Sequence, residues 1–475
     1  MNKAQTIVKN IISLATGGLI TRLLFILTEL IIARSMGAEI FGQFSTALAY
    51  TTIFAFFINF GIDFYLVKGI AQDSDNSKWI LGNTLLIKVV YSVIIFSFMD
   101  LLAICLKYSA ETFLLIQIFG LYNVCLAFQE TFAAFFQAME KMGKIALYRS
   151  IQMTILVCFV FIFLKKGIFI CSLIYLLTGG LFTIIWLIDT IRHCRPRLKL
   201  NKIVFIIENS YIFGLAAILF MLNYKVDTVM LSVMKTEAEV GLYSAAYKFI
   251  DIFIKIPIII SIALLPTLFK YSTREKGKVA TIYRITIRYI GLFGLPLAAI
   301  LFIFAEPIIN AVFGSDFASS ANALKILCWS LLFTFMASPA SDQLNAANRQ
   351  DLNLLGWTIA LIVNLALNFI LIPLYGILGV SWATLISQFS LFIAVSFFYW
   401  KISGVNCVFI EIVKPLLSTL AFGVPVYLLQ QKIGLLFGVL VSGAIFTIVI
   451  ISLKFFSSDD IVAIKSLMKK QNANA

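Results

Sequence analysis

The sequence feature that most constrains this chain is a series of long apolar runs, each roughly 20–30 residues in length. The runs do not alternate between apolar and polar residues, so they predict helices rather than strands. A helix satisfies its own backbone hydrogen bonds, as a segment surrounded by lipid must do. Charged residues make up only 13% of the chain, against about 25% in soluble domains. We therefore predict an all-α integral membrane protein.

The apolar runs predict about fourteen transmembrane helices. Two of them, the fifth and the sixth, are separated only by the turn Lys165-Lys166-Gly167. The predicted spans lie near residues 11–33, 41–66, 79–104, 112–138, 145–164, 168–190, 206–233, 241–268, 285–312, 320–347, 352–373, 377–400, 408–430 and 434–453.

The distribution of Lys and Arg predicts which side of the membrane each loop faces. With the N-terminus inside the cell, the inner loops and tails hold 22 of these residues and the outer loops hold six. This bias fits the positive-inside rule and predicts that both termini are cytoplasmic. It also explains most of the net charge of +14, which therefore does not indicate nucleic-acid binding.

Motifs that would carry catalysis or bind a cofactor are not evident. The seven cysteines form no C-x-x-C pair, and no phosphate-binding G-x-x-x-x-G-K-[ST] motif occurs. The single histidine, His193, lies in a basic inner loop. We therefore predict no metal site and no cofactor, and we do not expect an enzyme.

The chain contains an internal repeat. Residues 42–47 and 241–246 share the pattern Gly, any residue, aromatic, Ser, any residue, Ala, and they lie 199 residues apart. Fainter matches with a similar separation follow, so we predict two lobes of six helices, residues 1–200 and 201–402. Because six is even, the lobes have parallel orientations, and such transporters place their substrate site between the repeats. Residues 403–475 would add two helices and a cytoplasmic tail.

The seventh and eighth spans carry charges at membrane depth. Lys225 and Asp227 are two residues apart on a helix, so they point in different directions and each needs its own neighbour. Lys248, Asp251 and Lys255 share one face of the next helix and form a stripe with one excess positive charge. Two interpretations remain open. The stripe either lines a cationic central cavity or forms a ladder of structural ion pairs.

The first lobe adds further ionisable candidates. Arg22 lies near the middle of the first span, and Glu29 is seven residues on and therefore shares its face. Arginine offers a planar, permanently charged group suited to phosphate oxygens. Lys88 in the third span is a weaker candidate for substrate contact. The acidic candidates for charge pairing or ion coupling are Glu29, Glu130, Asp227 and Asp251.

Four segments carry a resemblance to a known family, namely residues 36–50, 226–251, 295–327 and 363–387. Together they resemble the polysaccharide repeat-unit flippases, of the O-antigen or capsule type, in the multidrug/oligosaccharidyl-lipid/polysaccharide exporter superfamily. No segment is a catalytic signature, but their order along the chain is typical of the superfamily. Related lipid flippases have a cavity arginine in the span where Arg22 lies.

The resemblance implies a transporter of the bacterial cytoplasmic membrane. Its substrate would be an oligosaccharide linked to undecaprenyl diphosphate, carried from the inner to the outer leaflet by alternating access through a cationic cavity between the lobes. It also implies membrane lipids and polysaccharide polymerase or assembly proteins as partners. The alternatives are a lipid II flippase of peptidoglycan synthesis, a multidrug–cation antiporter of the same superfamily, and a membrane polymerase or glycosyltransferase. The short predicted outer loops disfavour the last of these.

Overall fold

The structure is a computed structural model that describes residues 3–254, 256–257, 260–261, 268, 276–405, 408–433, 441, 444–445, 447–449 and 452. These residues form helices and connecting turns, and no strand occurs among them. The helices are α1 (Lys3–Asn59), α2 (Ile62–Gln72), α3 (Ser77–Cys105), α4 (Ala110–Ala138), α5 (Met142–Phe163), α6 (Ile168–His193), α7 (Ile203–Met234), α8 (Glu237–Phe253), α9 (Lys276–Ile303), α10 (Ala305–Val312), α11 (Ser320–Ala346), α12 (Gln350–Ser403) and α13 (Val408–Ile433).

Within the described residues, ten helical segments are long and apolar enough to cross a membrane. Two glycines with positive φ separate neighbouring predicted spans inside a helix. Gly37 (φ 80°) lies in α1 between the spans 11–33 and 41–66, and Gly376 (φ 53°) lies in α12 between the spans 352–373 and 377–400. A short 3₁₀ turn and Gly167 (φ 93°) separate α5 from α6, which confirms the break predicted at this position. The all-α membrane fold is thus confirmed. The total of fourteen is not confirmed, and most of span 434–453 lies outside the described residues.

Two predicted spans are wrong as single helices. The run 285–312 is interrupted at Phe304, between the end of α9 at Ile303 and the start of α10 at Ala305. The run 41–66 breaks at Phe60 (φ 36°) and Gly61 (φ 72°), and α2 then starts at Ile62. Both backbone conformations are left-handed, a region that side chains with a Cβ rarely adopt. A Cβ on Gly61 would also lie 2.5 Å from the carbonyl oxygen of Ser210 in α7. Tertiary packing against α7 therefore fixes a break that hydropathy does not reveal.

The chain packs as two compact units. The first comprises Met1–Ser244 and Val312–Phe317, and the second comprises Ala245–Ala311 and Ala318–Ala475. The lobe boundary near residue 200 that the internal repeat indicates stays a prediction.

In the first unit, the two glycines of the internal repeat face each other. A Cβ on Gly42 of α1 would lie 1.7 Å from the carbonyl oxygen of Glu237, and a Cβ on Gly241 of α8 would lie 1.9 Å from that of Ala38. The contact is symmetric, because each glycine meets the residue four positions before the other. Close approach of small residues is a main source of helix association in lipid, where burying apolar surface adds little.

The opposite end of the first unit is closed by aromatic packing. Phe136 of α4 packs against Trp186 of α6, with ring centroids 5.8 Å apart. Tyr148 of α5 contacts the same indole edge-on at 4.8 Å. These rings belong to a buried cluster that also includes residues of α2, α3 and α7. The cluster joins the helices at the end that the charge bias predicts to be cytoplasmic.

The second unit uses polar contacts between its helices. The Ser387 hydroxyl of α12 donates to the carbonyl oxygen of Ala360, 27 residues earlier in the same helix and on the other side of the Gly376 kink. Arg288 of α9 donates from Nε to Glu411 of α13 at 2.7 Å. The first contact joins the two arms of α12 across its kink, and the ion pair joins α9 to α13.

Candidate functional site

A lysine is completely buried among the helices of the first unit. Lys88 of α3 has no exposed surface. Its Nζ donates to Oδ1 of Asn59, Oδ2 of Asp63 and the carbonyl oxygen of Ala127, each at 2.7 Å. An ammonium group has three hydrogens, so each finds an acceptor. The Asp63 carboxylate also accepts a hydrogen bond from the Thr131 hydroxyl at 2.8 Å.

The break between α1 and α2 places the two side-chain acceptors of Lys88. Asn59 is the last residue of α1, and Asp63 lies in the first turn of α2. A carboxylate is favoured in that position by the unpaired N–H groups and the positive end of the helix dipole. Gly214 of α7 packs directly on the break, since a Cβ there would lie 2.7 Å from the carbonyl oxygen of Phe60. The buried ion pair therefore depends on the backbone break.

This geometry bears on the role of Lys88. A charge at membrane depth is costly unless it is paired or faces water, and Lys88 is paired. Substrate contact would require the ammonium to leave acceptors that already satisfy it. Lys88 as a substrate-binding residue stays a prediction, and the structure shows it tying α3 to α1, α2 and α4.

The charges of α7 engage different neighbours, as the helical geometry indicates. Asp227 is 1% exposed, and the Tyr243 hydroxyl of α8 donates to its Oδ2 at 3.2 Å. Lys225 is half-buried, and its Nζ lies 4.6 Å from the centre of the Tyr224 ring. A cation over an aromatic face is attracted by the ring quadrupole. Tyr224 precedes Lys225 on α7, so the separate charged neighbours of Lys225 and Asp227 stay a prediction.

The charged stripe of α8 is present in the second unit. The Nζ of Lys248 lies 3.7 Å from Oδ2 of Asp251, and both side chains are mostly buried. These residues share a face because they are three positions apart on a helix. Lys255, the third member of the predicted stripe, lies outside the described residues. Both interpretations of this stripe, as the wall of a cavity and as a ladder of structural ion pairs, therefore stay predictions.

The remaining candidates lie on α1 and α4. Arg22 is half-buried, and Glu29 on the same helix is 4% exposed. Glu130 of α4 is exposed, and both its carboxylate oxygens accept from Nη2 of Arg149 in α5 at 2.7 Å. Sequence reasoning did not single out Arg149. Arg149 and Asp63 both lie inside predicted spans, and a charge at that position is the signal that could have identified them.

A polar network joins α1, α4 and α8 at the end where Gly42 and Gly241 meet. The side-chain amide of Gln43 donates to Glu111 at 3.0 Å and to Glu237 at 2.6 Å. The other carboxylate oxygen of Glu237 accepts from the hydroxyls of Ser109 at 2.8 Å and Thr112 at 2.6 Å. These residues are far apart in sequence, and no local pattern predicts that they meet.

The arrangement favours binding and movement of charged groups over covalent chemistry. In the part of the chain that the structure describes, no group of three or more His, Cys, Asp or Glu residues could hold a metal ion. The charged candidates are basic or acidic side chains of membrane-spanning helices. Such residues typically mark the path of a substrate or an ion.

The fold is similar to that of two solved transporters. It resembles the lipid II flippase MurJ in an inward closed conformation, with a TM-score of 0.78 and 17% identity over 92% of this chain and 98% of that chain. It also resembles an inward-facing multidrug resistance MATE family transporter of the MOP superfamily, with a TM-score of 0.65 and 15% identity over 81% of this chain and 96% of that chain.

Family models place the sequence more narrowly. The model described as polysaccharide biosynthesis protein matches residues 7–272, more than half of the chain. The chain belongs to this family, as the resemblance predicted. A second model, MatE, matches residues 213–370.

Two relatives are archaeal proteins. The probable low-salt glycan biosynthesis flippase Agl15 of Haloferax volcanii is 24% identical over 301 residues, 59% of this chain and 62% of Agl15. The uncharacterized membrane protein MJ1068 of Methanocaldococcus jannaschii is 23% identical over 386 residues, 74% of this chain and 76% of that protein. The match thus spans less than two thirds of Agl15.

Proposed function

We propose that this protein is a flippase that moves an oligosaccharide linked to undecaprenyl diphosphate from the inner to the outer leaflet of a bacterial cytoplasmic membrane. The observation that carries the proposal is the family match over residues 7–272. The naming of Agl15 and AglR of Haloferax volcanii as probable flippases supports the transport class. Neither relative is named as a catalyst, in keeping with a protein that makes and breaks no bonds.

The physical problem explains why membrane charges are needed. The sugars and the diphosphate would lose strong hydration in hydrocarbon, whereas the polyprenyl tail is stable in lipid. A carrier that works by alternating access must therefore provide cationic side chains that contact the diphosphate within the membrane. We propose Arg22, Lys225, Lys248 and Lys255 for this role. Lys88 was also predicted for it, but its pairing with Asp63 favours a structural role. Acidic residues proposed for charge pairing or ion coupling are Glu29, Glu130, Asp227 and Asp251.

Depletion of the protein in its own cells tests this proposal. Lipid-linked oligosaccharide should accumulate in the inner leaflet, and the surface polysaccharide should disappear. Wild-type protein should restore export, and the Arg22→Gln variant should restore much less. Lys68→Gln, which removes an exposed charge from α2, is the matched control and should restore export fully. Normal surface polysaccharide after depletion would contradict the proposal.

The second candidate is flipping of lipid II. It is favoured by one observation, the fold similarity to MurJ with a TM-score of 0.78. This candidate predicts that depletion blocks peptidoglycan synthesis and lyses the cells. The first candidate predicts that peptidoglycan synthesis continues, so the two outcomes separate the functions in one experiment.

The proposal includes a membrane orientation with both termini in the cytoplasm. The supporting observation is the excess of Lys and Arg in the predicted inner loops. Reporter fusions after residue 475 and within residues 235–236, between α7 and α8, should report opposite sides. Equal signals from the two fusions would contradict the orientation.

A further inference from the structure

The connection between α6 and α7 concentrates positive charge on an exposed surface of the first unit. We call residues 192–202 the basic strap. Between Asp189 and Glu208 the sequence contains no acidic residue. All five cations of the strap are exposed, namely Arg192, Arg195, Arg197, Lys199 and Lys202.

The backbone of the strap is held in place by the start of α3. The N–H of Arg197 donates to the carbonyl oxygen of Lys78 at 2.9 Å. The side chain of Asn83, which is fully buried, accepts from the N–H of Lys199 at 2.9 Å and donates to its carbonyl oxygen at 2.8 Å. A Cβ on Gly82 would lie 2.2 Å from the carbonyl oxygen of Arg197. The strap is therefore an ordered segment that glycine and a buried amide allow to lie close to α3.

The charges of the strap are not neutralised by nearby carboxylates. Asp189, the acid that precedes it, is engaged elsewhere: Lys144 of α5 lies 2.5 Å from its Oδ2, and the Tyr148 hydroxyl donates to the same oxygen at 3.0 Å. Among the described residues, none of the five strap cations forms an ion pair with a carboxylate. The strap therefore presents uncompensated positive charge.

Large apolar side chains alternate with these cations. Leu198 and Leu200 are 59% and 65% exposed, and Val204 and Phe205 follow at the start of α7 with 63% and 46% exposed. Apolar side chains next to Lys and Arg suit the boundary between headgroups and acyl chains, where both kinds of group find favourable surroundings. A soluble anion would bind the cations but would leave the leucines in water.

We infer that the basic strap binds the headgroups of anionic phospholipids in the leaflet at this end of the molecule. The positive-inside bias alone does not explain it, because charge directs insertion without needing an ordered backbone. The buried Asn83, the close approach at Gly82 and the exposed leucines are features of a fixed surface. Clusters of basic residues next to a membrane helix are known to recognise anionic lipids.

The test is native mass spectrometry of the full chain in neutral detergent, with phosphatidylglycerol added and phosphatidylcholine as the neutral lipid. Detergent micelles have no inside, so an effect on insertion cannot alter this readout. The double variant Arg195→Gln, Arg197→Gln should bind phosphatidylglycerol roughly 30-fold more weakly, since each basic residue near an anionic surface contributes about 1 kcal/mol. The matched control is Lys165→Gln, Lys166→Gln, which removes two exposed cations at the other end of α6 and should bind like wild type.

Two further measurements separate an ordered lipid site from bulk charge. Replacing Leu198 and Leu200 by serine keeps every charge and should weaken phosphatidylglycerol binding several-fold while the protein stays folded. Inorganic pyrophosphate, added at the same concentration as phosphatidylglycerol, should not displace the bound lipid. The inference would be overturned if the strap and control variants lose phosphatidylglycerol binding equally, or if neither variant loses it. Displacement of the lipid by pyrophosphate would overturn it as well.

Discussion

Replacing Lys88 by methionine should destabilise the protein strongly. Methionine keeps most of the apolar stem but removes the ammonium that reaches Asn59, Asp63 and Ala127. The half-buried Asp63 carboxylate would keep its hydrogen bond from Thr131 but lose its counter-ion. We expect the variant to fold less stably and not merely to transport less.

The size of the effect follows from burial. Removing one partner of a buried ion pair typically costs about 3–5 kcal/mol, because the other charge stays behind unpaired. The Asp63 side chain is 20% exposed, so water relieves part of this cost. We therefore expect a loss of about 3 kcal/mol in the free energy of unfolding, towards the lower end of that range. Asp63→Asn should cost at least as much, because Lys88 itself has no exposed surface.

The assay is equilibrium unfolding by SDS in mixed micelles, followed by circular dichroism. The control is Lys68→Met, which removes an exposed charge from α2 and should change stability by less than about 0.5 kcal/mol. The double variant Lys88→Met, Asp63→Asn should lose about 2 kcal/mol less than the sum of the single variants, since the two residues are in contact.

One result would refute the structural reasoning. If Lys88→Met unfolds within about 1 kcal/mol of wild type but abolishes transport, the lysine is not held by its protein acceptors during the transport cycle. Lys88 would then be a substrate contact, as the sequence analysis first suggested.

Three further predictions concern α1 and α7. Gly42→Val should prevent stable folding, because the new side chain would overlap the backbone of α8. The control Gly18→Val should express normally, because the space around Gly18 is open, and the yield of detergent-solubilised protein measures both variants. Asp227→Asn should lower the free energy of unfolding by about 1–3 kcal/mol, since a buried charged acceptor is lost; equal stability would contradict its burial among partners. Arg22→Gln should raise the KM for lipid-linked substrate at least tenfold without lowering stability, and an unchanged KM would exclude substrate contact.

Hydropathy predicted most of the helices because it reports each helix on its own. The bounds of α3 to α7 lie within a few residues of the predicted spans, and the break at Gly167 was visible as a short basic turn. The break at Phe60 and Gly61 was not visible, since both residues lie inside an apolar run. Its cause is the packing of Gly214 from a helix far along the chain.

The candidate charges were also easier to find than to pair. A charged residue in an apolar run is a clear signal, and it identified Lys88 and Asp227 correctly as unusual. The partner of a charge depends on which helices are adjacent, and no spacing within one helix contains that information. Asp63 carried the same signal as Lys88 but was passed over, and Gln43 and Glu237 meet only because α1 and α8 cross at two glycines.

The most direct test of the proposed function is reconstituted flipping. Purified protein in proteoliposomes would receive undecaprenyl diphosphate carrying a fluorescent oligosaccharide, and quenching by a membrane-impermeant reagent would report the fraction in the outer leaflet over time. We predict rapid exchange of this lipid between leaflets, little exchange with Arg22→Gln, and slower exchange of lipid II. Exchange no faster than in protein-free liposomes, or faster exchange of lipid II, would contradict the proposed function.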